Sequence, residues 1–269
     1  MAHQGGIDVL PRTPVHDRRP ATGTGGSQAG DITVANGMSW SSANTLTLDA
    51  YHSINIDAPI SVTGSGGLAL HFNDGGTGGN SAVNSPVNLT STSSFSTQNG
   101  SAAAISYTII DSLGAAGSTT ATDLQGISGN LAGHYALGAN IDASATSGWN
   151  TNAGFAPIGN QATRFTGTFD GLGHVISTLT INRPSARYVG LFGDTEGATL
   201  RDVGLLGGSV TGGNDVGGLV GANPGNETTP EAVATDRRTG GGAREGRHAG
   251  GAVGGSTPAR LTTDRATGV

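Results

Sequence analysis

Ile32-Thr33-Val34, Met38-Ser39-Trp40 and Leu46-Thr47-Leu48 are followed, twenty-two residues later, by Ile54-Asn55-Ile56, Ile60-Ser61-Val62 and Leu68-Ala69-Leu70. Six apolar positions recur at one offset: Ile32/Ile54, Val34/Ile56, Met38/Ile60, Trp40/Val62, Leu46/Leu68 and Leu48/Leu70. Within each run large apolar residues alternate with small residues (Thr, Ser, Asn or Ala), which is the period of a half-buried strand and not of a helix. Three short strands per period, separated by turn-forming residues, make one coil of a β-helix. A single coil cannot bury its inward side chains alone, so the next stacks on it at a rung spacing of about 4.8 Å and places like residues in ladders.

A second, diverged repeat follows. Ile176, Leu179 and Ile181 are matched by Leu200, Val203 and Leu205 at an offset of 24. Val189-Gly190-Leu191-Phe192-Gly193 recurs, with one extra Gly, as Val216-Gly217-Gly218-Leu219-Val220-Gly221. Extra residues in a coil go to outside turns, where Gly reaches positive φ without steric cost. With coils of this length, residues 31–226 should form eight or nine, a rod of about 40 Å. The fold expected is all-β, a right-handed parallel β-helix with disordered N- and C-terminal tails.

Composition agrees. Gly supplies 48 of the 269 residues, aromatics 4% and charged residues 12%, against roughly 25% charged in an average globular domain. No apolar run nears the ~20 residues of a bilayer-crossing helix, so membrane insertion is not expected. The absence of Cys excludes disulfides and thiol chemistry. Between Asp31 and Asn226 four Arg face twelve acidic residues, a balance opposite to the basic footprint of nucleic-acid binding. Residues 1–30 and 227–269 are rich in Pro, Arg, Gly and Thr without apolar periodicity, and read as disordered. No signal peptide is evident before Pro20, since the apolar core of such a signal is missing. The chain divides into 1–30, 31–110 with the 22-residue coils, 111–226 as a continuing β-helix, and 227–269.

The stretch from Asp31-Ile32-Thr33-Val34 to Leu68-Ala69-Leu70-His71-Phe72-Asn73 resembles the repeats of filamentous-haemagglutinin-like exoproteins, the adhesins of two-partner secretion systems. Asn140-Ile141-Asp142-Ala143-Ser144, Gly154-Phe155-Ala156-Pro157-Ile158-Gly159 and Phe165-Thr166-Gly167-Thr168-Phe169-Asp170-Gly171 look like the run that precedes GLUG repeats in such proteins. Gly190-Leu191-Phe192-Gly193 and Gly218-Leu219-Val220-Gly221 resemble the GLUG motif itself. The resemblance covers residues 31–226. It implies a secreted or cell-surface location, attachment to a host-cell or bacterial surface receptor, and export of the intact protein by an outer-membrane transporter of the two-partner type. The family's secretion domain is not evident here, and after Asn226 its repeats stop. A truncated, non-functional gene fragment is therefore one alternative, and a carbohydrate-active β-helix enzyme is the other.

Side-chain chemistry points away from catalysis. Asp49, Asp57, Asp74, Asp111, Asp123, Asp142, Asp170, Asp194, Asp202 and Asp215 are scattered, where a lyase or hydrolase needs carboxylates gathered on one face. Asp194 and Glu196 flank a turn at Gly193 and Gly197, and Asp170-Gly171 reads as another solvated turn. The histidines show no metal-ligand spacing. His52 and His71 are nineteen residues apart, three short of the period, which predicts isolated surface histidines. Gly75-Gly76-Thr77-Gly78-Gly79-Asn80 faintly resembles a calcium-binding Gly-rich nonapeptide, and reads as a flexible turn. The expectation is no catalytic residue, no cofactor and no metal.

Overall fold

The computed structural model describes residues 30–223 and, before them, the two-residue strand Val15–His16. The remainder of the segments 1–30 and 227–269, read above as disordered, lies outside the described residues.

The first body is a parallel β-helix of three coils. Ile32–Val34, Ile54–Ile56 and Ser81–Val83 stack as one wall, Met38–Trp40, Ile60–Val62 and Val87–Asn88 as a second, and Thr45–Asp49, Gly67–Phe72 and Ser94–Asn99 lie in the third. Between the first two coils the register pairs Ile32 with Ile54, Val34 with Ile56, Met38 with Ile60, Trp40 with Val62, Leu46 with Leu68 and Leu48 with Leu70. Every pair has the offset of 22 read from the sequence. In the next step Ile54 meets Ser81, Ile60 meets Val87 and Leu68 meets Phe95, an offset of 27 on all three walls. Equal offsets on every wall mean that the five added residues sit in one corner, between Phe72 and Ser81. That corner is the Gly-rich segment, held by Asn73, whose Oδ1 accepts the Gly79 N–H at 2.8 Å and whose Nδ2 donates to the Gly79 carbonyl at 3.0 Å.

The expectation of one continuing helix does not hold across residue 100. Ser94–Asn99 and Ile105–Ile110 pair antiparallel, with Phe95 opposite Tyr107, so the chain reverses direction there. The sheet itself continues. Strand Val15–His16, Thr45–Asp49, Gly67–Phe72, Ser94–Asn99, Ile105–Ile110, His134–Leu137, Thr168–Asp170 and Thr199–Arg201 form one eight-stranded sheet. What changes is the face that carries the core. Phe95, Tyr107, Ile109 and Ala136 belong to the first body's core, whereas Ile110, Tyr135, Leu137 and Phe169 belong to the second's. The end of Ile105–Ile110 is thus covered on both faces, Ile109 by one core and Ile110 by the other, which explains two consecutive buried Ile.

The second body winds through further walls, Ile141–Asp142 with Val175–Ser177 and Gly204–Leu206, Thr180–Val189 with Ser209–Val216, and Phe192–Asp194 with Val220–Ala222. Its interior is aromatic, with the Phe165 and Phe192 rings 4.8 Å apart and Phe169 and Phe192 meeting edge to face at 5.3 Å. Successive coils are longer than the sequence repeat indicated: Tyr135 pairs with Phe169, Phe169 with Leu200, Ile141 with Ile176, Ile176 with Leu205, and Ile181 with Val210. The offset of 24 is therefore incorrect. It superposed Ile176 on Leu200, which stands on the neighbouring wall, and Ile181 on Leu205, whose partner is Ile176. Longer coils also mean fewer of them than the eight or nine expected.

The Gly-Leu-hydrophobic-Gly repeats do stack as aligned. Val189 pairs with Val216 and Phe192 with Val220, so the extra Gly falls between them. Tyr188 and Asp215, the residues before each Val, share a left-handed turn with φ of 60° and 55°. The glycines are not there for positive φ. A Cβ on Gly190 would stand 2.8 Å from the Gly217 carbonyl oxygen, and one on Gly221 would stand 2.5 Å from the Val189 nitrogen. They are glycines because stacked backbones approach too closely for a side chain.

With no native Cys, engineered pairs report this register directly. Parallel neighbours are about 4.8 Å apart, inside the Cα range that a disulfide spans. Leu206→Cys should oxidise rapidly to Ser177→Cys, its neighbour in the structure, and stay reduced with Asn182→Cys, twenty-four residues away. Mass spectrometry after mild oxidation distinguishes the two.

Candidate functional site

Beyond the shared sheet, backbone hydrogen bonds join the two bodies beside a cleft. Val87 donates its N–H to the Leu172 carbonyl at 3.1 Å, and Leu89 donates to Gly138 at 2.9 Å, so the last coil of the first body rests on turns of the second. Beside these contacts, a cleft of about 650 Å³ is walled by Asn80, Ser81, Thr97 and Phe72 on one side and by Thr168, Thr199 and Arg201 on the other.

Arg201 organises the floor. It pairs in register with Asp170 on the adjacent strand, and its Nη2 lies 2.5 Å from Asp170 Oδ2. Nη1 donates to Ser81 Oγ at 3.0 Å, tying the second body to the first, and Nε stands 3.9 Å from Asp202 Oδ2. Asp170 is fully buried, its other oxygen accepting the Leu172 N–H at 3.0 Å. Burial drives the Asp170 carboxyl above its ordinary pKa, although Arg201 pulls the other way. Burial opposes the charge on Arg201 too, yet Asp170, Tyr107 and Asp202 together hold its pKa above the usual value. Nearby, Tyr107 and Thr97 hydroxyls share a hydrogen bond of 3.1 Å, and burial raises the Tyr107 phenol. The arrangement is a neutralised ion pair under a polar, hydroxyl-lined cleft.

Asp170-Gly171 is accordingly no solvated turn, and neither is Asp194. Asp194 is buried and accepts Arg164 Nε at 3.1 Å, while Arg164 Nη1 reaches Glu196 Oε2 at 3.2 Å. On the outer surface Arg187 bonds Asp215 of the next coil at 2.9 Å. Asp170 and Asp202 share Arg201, and Asp194 and Glu196 share Arg164. Sequence reasoning missed these pairs because it used the wrong offset. At 31 residues, Thr168-Phe169-Asp170 lies over Thr199-Leu200-Arg201, and the matched triplets with opposite terminal charges were the available signal.

His52, His71 and His174 are not isolated. His52 Nδ1 lies 2.8 Å from Asp31 Oδ1. His71 is flanked by Asp49 and Asp74. His174 is buried at the junction, its Nε2 donating to the Val87 carbonyl at 2.9 Å and its Nδ1 lying 3.2 Å from Asn140 Oδ1. Burial lowers the His174 pKa, more than the Val87 bond raises it.

The ladder residues Ile54, Ile56, Ile60, Val62, Leu68 and Leu70 are all buried, as are Ile176, Leu179, Ile181, Leu200, Val203, Leu191, Phe192, Leu219 and Val220. Ile32, Met38, Trp40 and Leu46, in the terminal coil, and Leu205 are partly exposed. None of the ladder residues lines the cleft.

Comparison with known proteins adds one relative. Halomucin from Haloquadratum walsbyi is 49% identical over 116 residues, an alignment covering 40% of this chain and 1% of that protein. Part of this chain thus resembles a short stretch of a very large protein. The chain spans only about 1% of its relative's length. No family model matches, and no solved structure matches. Among the described residues no helix is long and apolar enough to cross a membrane.

Two outcomes follow from this geometry. Arg201→Met should lower stability by about 3–5 kcal/mol, the cost of leaving a buried carboxylate unpaired, and adding Asp170→Asn should restore much of it; urea unfolding measures both. His174 has a folded pKa below its unfolded value, so the unfolded chain binds more protons on the acid side of 6.5. Stability should therefore be full above pH 6.5 and fall as the pH drops toward the folded pKa. His174→Gln should flatten that part of the stability profile.

Proposed function

We propose that this chain is a structural β-helical segment of a very large cell-surface protein, acting in attachment and not in catalysis. The observation that carries this reading is the eight-stranded sheet running through both bodies. Such a sheet gives an extended scaffold whose outward positions in the first body include Thr45, Thr47, Ser94 and Ser96. The halomucin likeness supports the surface setting. The Arg-paired state of Asp170, Asp194 and Asp215 supports the non-catalytic part, since each carboxylate is engaged in holding neighbouring coils together. Attachment through such faces works by many weak contacts repeated along one surface, so affinity grows with the number of segments and not with any single residue. The adhesin role and the two-partner export route come from the haemagglutinin resemblance alone.

Antibody raised against the folded chain tests the reading. Intact producing cells, or their medium, should be labelled, and external protease should remove the signal. Antigen reached only after lysis would overturn the proposal.

A further inference from the structure

We propose that Asp49, His71 and Asp74 form a binding site for a divalent transition-metal ion of the zinc class, which ties the Gly-rich corner to the wall beneath it.

The register builds two-thirds of the site. Asp49 and His71 are directly paired on adjacent parallel strands. Both lie on the outer face, because Leu48 and Leu70 beside them point into the core. Their reactive atoms meet there, with His71 Nδ1 3.2 Å from Asp49 Oδ1. The third member comes from the inserted corner. Asn73 adopts the left-handed region at φ 59°, and its amide is bonded to Gly79 on one side and to Asn99 Oδ1, at 2.7 Å, on the other. The next residue, Asp74, is thereby delivered beside the same ring, its Oδ1 3.7 Å from Nε2, and one ligand atom from each of the three residues lies within 4.8 Å of the others.

The imidazole is oriented as a ligand. His71 Nε2 lies 3.0 Å from the Gly100 carbonyl oxygen, which can only accept, so Nε2 carries the proton. The other nitrogen, Nδ1, then presents its lone pair toward the Asp49 carboxylate unless a second proton is added. A metal-ligating histidine characteristically donates its remote N–H to a backbone carbonyl in this way, fixing tautomer and ring plane. At 3.2 Å the Nδ1 lone pair and the Asp49 carboxylate are placed to share one cation. In a tetrahedral site with bonds of about 2.0–2.2 Å, ligand atoms lie roughly 3.3–3.5 Å apart, close to the spacing found. Asp49 is 15% exposed and His71 19%, while Asp74 at 57% is free to swing in. Two carboxylates with one imidazole neutralise a dication and leave a fourth position for water. The mixed nitrogen and oxygen set favours zinc over calcium, which takes oxygen ligands throughout.

Isothermal titration of the EDTA-stripped full chain with ZnCl2 at pH 7.5 tests this, alongside thermal melts. The wild type should bind with micromolar or tighter affinity and melt at a higher temperature with zinc. His71→Gln and Asp49→Asn should each weaken that binding at least tenfold. Asp74→Asn should weaken it less, and His52→Ala, at a separate ion pair, should leave it unchanged. Circular dichroism of each variant separates lost binding from lost fold. If either inner-residue variant fails to fold, the absorption spectrum of the cobalt-loaded wild type gives the coordination instead. Absence of saturable binding, binding that survives His71→Gln, or a cobalt spectrum without nitrogen ligation would each overturn the site. The cluster would then be a protonated His71 between two carboxylates.

Discussion

The interior of a stacked coil is specified by the coil beside it. Backbone hydrogen bonds fix each strand against the next at one spacing, and the side chain above must fit the side chain below. Ile54, sandwiched between Ile32 and Ser81, is fully buried only because both neighbours exist. The same constraint explains where sequence is free to vary. Insertions are tolerated in corners, as between Phe72 and Ser81, since a corner can bulge outward without disturbing any wall. They are excluded from strands, where one residue would turn a whole wall inside out. It also explains the glycines at 190 and 221, where neighbouring backbones come too close for a Cβ.

The constraint also places charge. A fully buried Asp170 is costly by itself. It is sustained because the register puts Arg201 directly beside it and because Leu172 donates a backbone N–H. Arg164 with Asp194, and Arg187 with Asp215, repeat the principle one coil apart. Each cation belongs to one coil and each anion to the next, so these pairs report correct stacking as much as they stabilise it. Arg201 goes further by reaching Ser81: a single guanidinium joins adjacent coils of the second body to the last coil of the first.

Legibility followed the regularity of the coils. In the first body the offset of 22 was readable because all three walls repeat together, and each ladder pair from Ile32/Ile54 to Leu48/Leu70 is found in the structure. In the second body the walls repeat at different lengths, since Phe169 to Leu200 spans 31 residues and Ile176 to Leu205 spans 29. No single offset aligns them, and the best apolar match at 24 paired residues from adjacent walls. The Val-Gly-Leu-Phe-Gly repeat survived because its extra Gly was read as an insertion. The buried carboxylates, and the histidines that found acidic partners, were illegible for the same reason. Their neighbours lie one coil away, at distances in sequence that only the true register supplies. The reversal at residue 100 had no signal in the apolar pattern, because an antiparallel strand alternates as a parallel one does.

The switch of core from one face of the common sheet to the other has a mechanical consequence. Domains strung on linkers pivot independently, and a pull or a shear on one is lost in the hinge. Here strands Ser94–Asn99 and Ile105–Ile110 are hydrogen-bonded rungs of one uninterrupted ribbon, with a packed layer above it on one side of the join and below it on the other. A transverse load arriving at either body crosses that join through the backbone, as it crosses a lap joint between two planks. Units joined in this way would bend together as a beam instead of pivoting one by one.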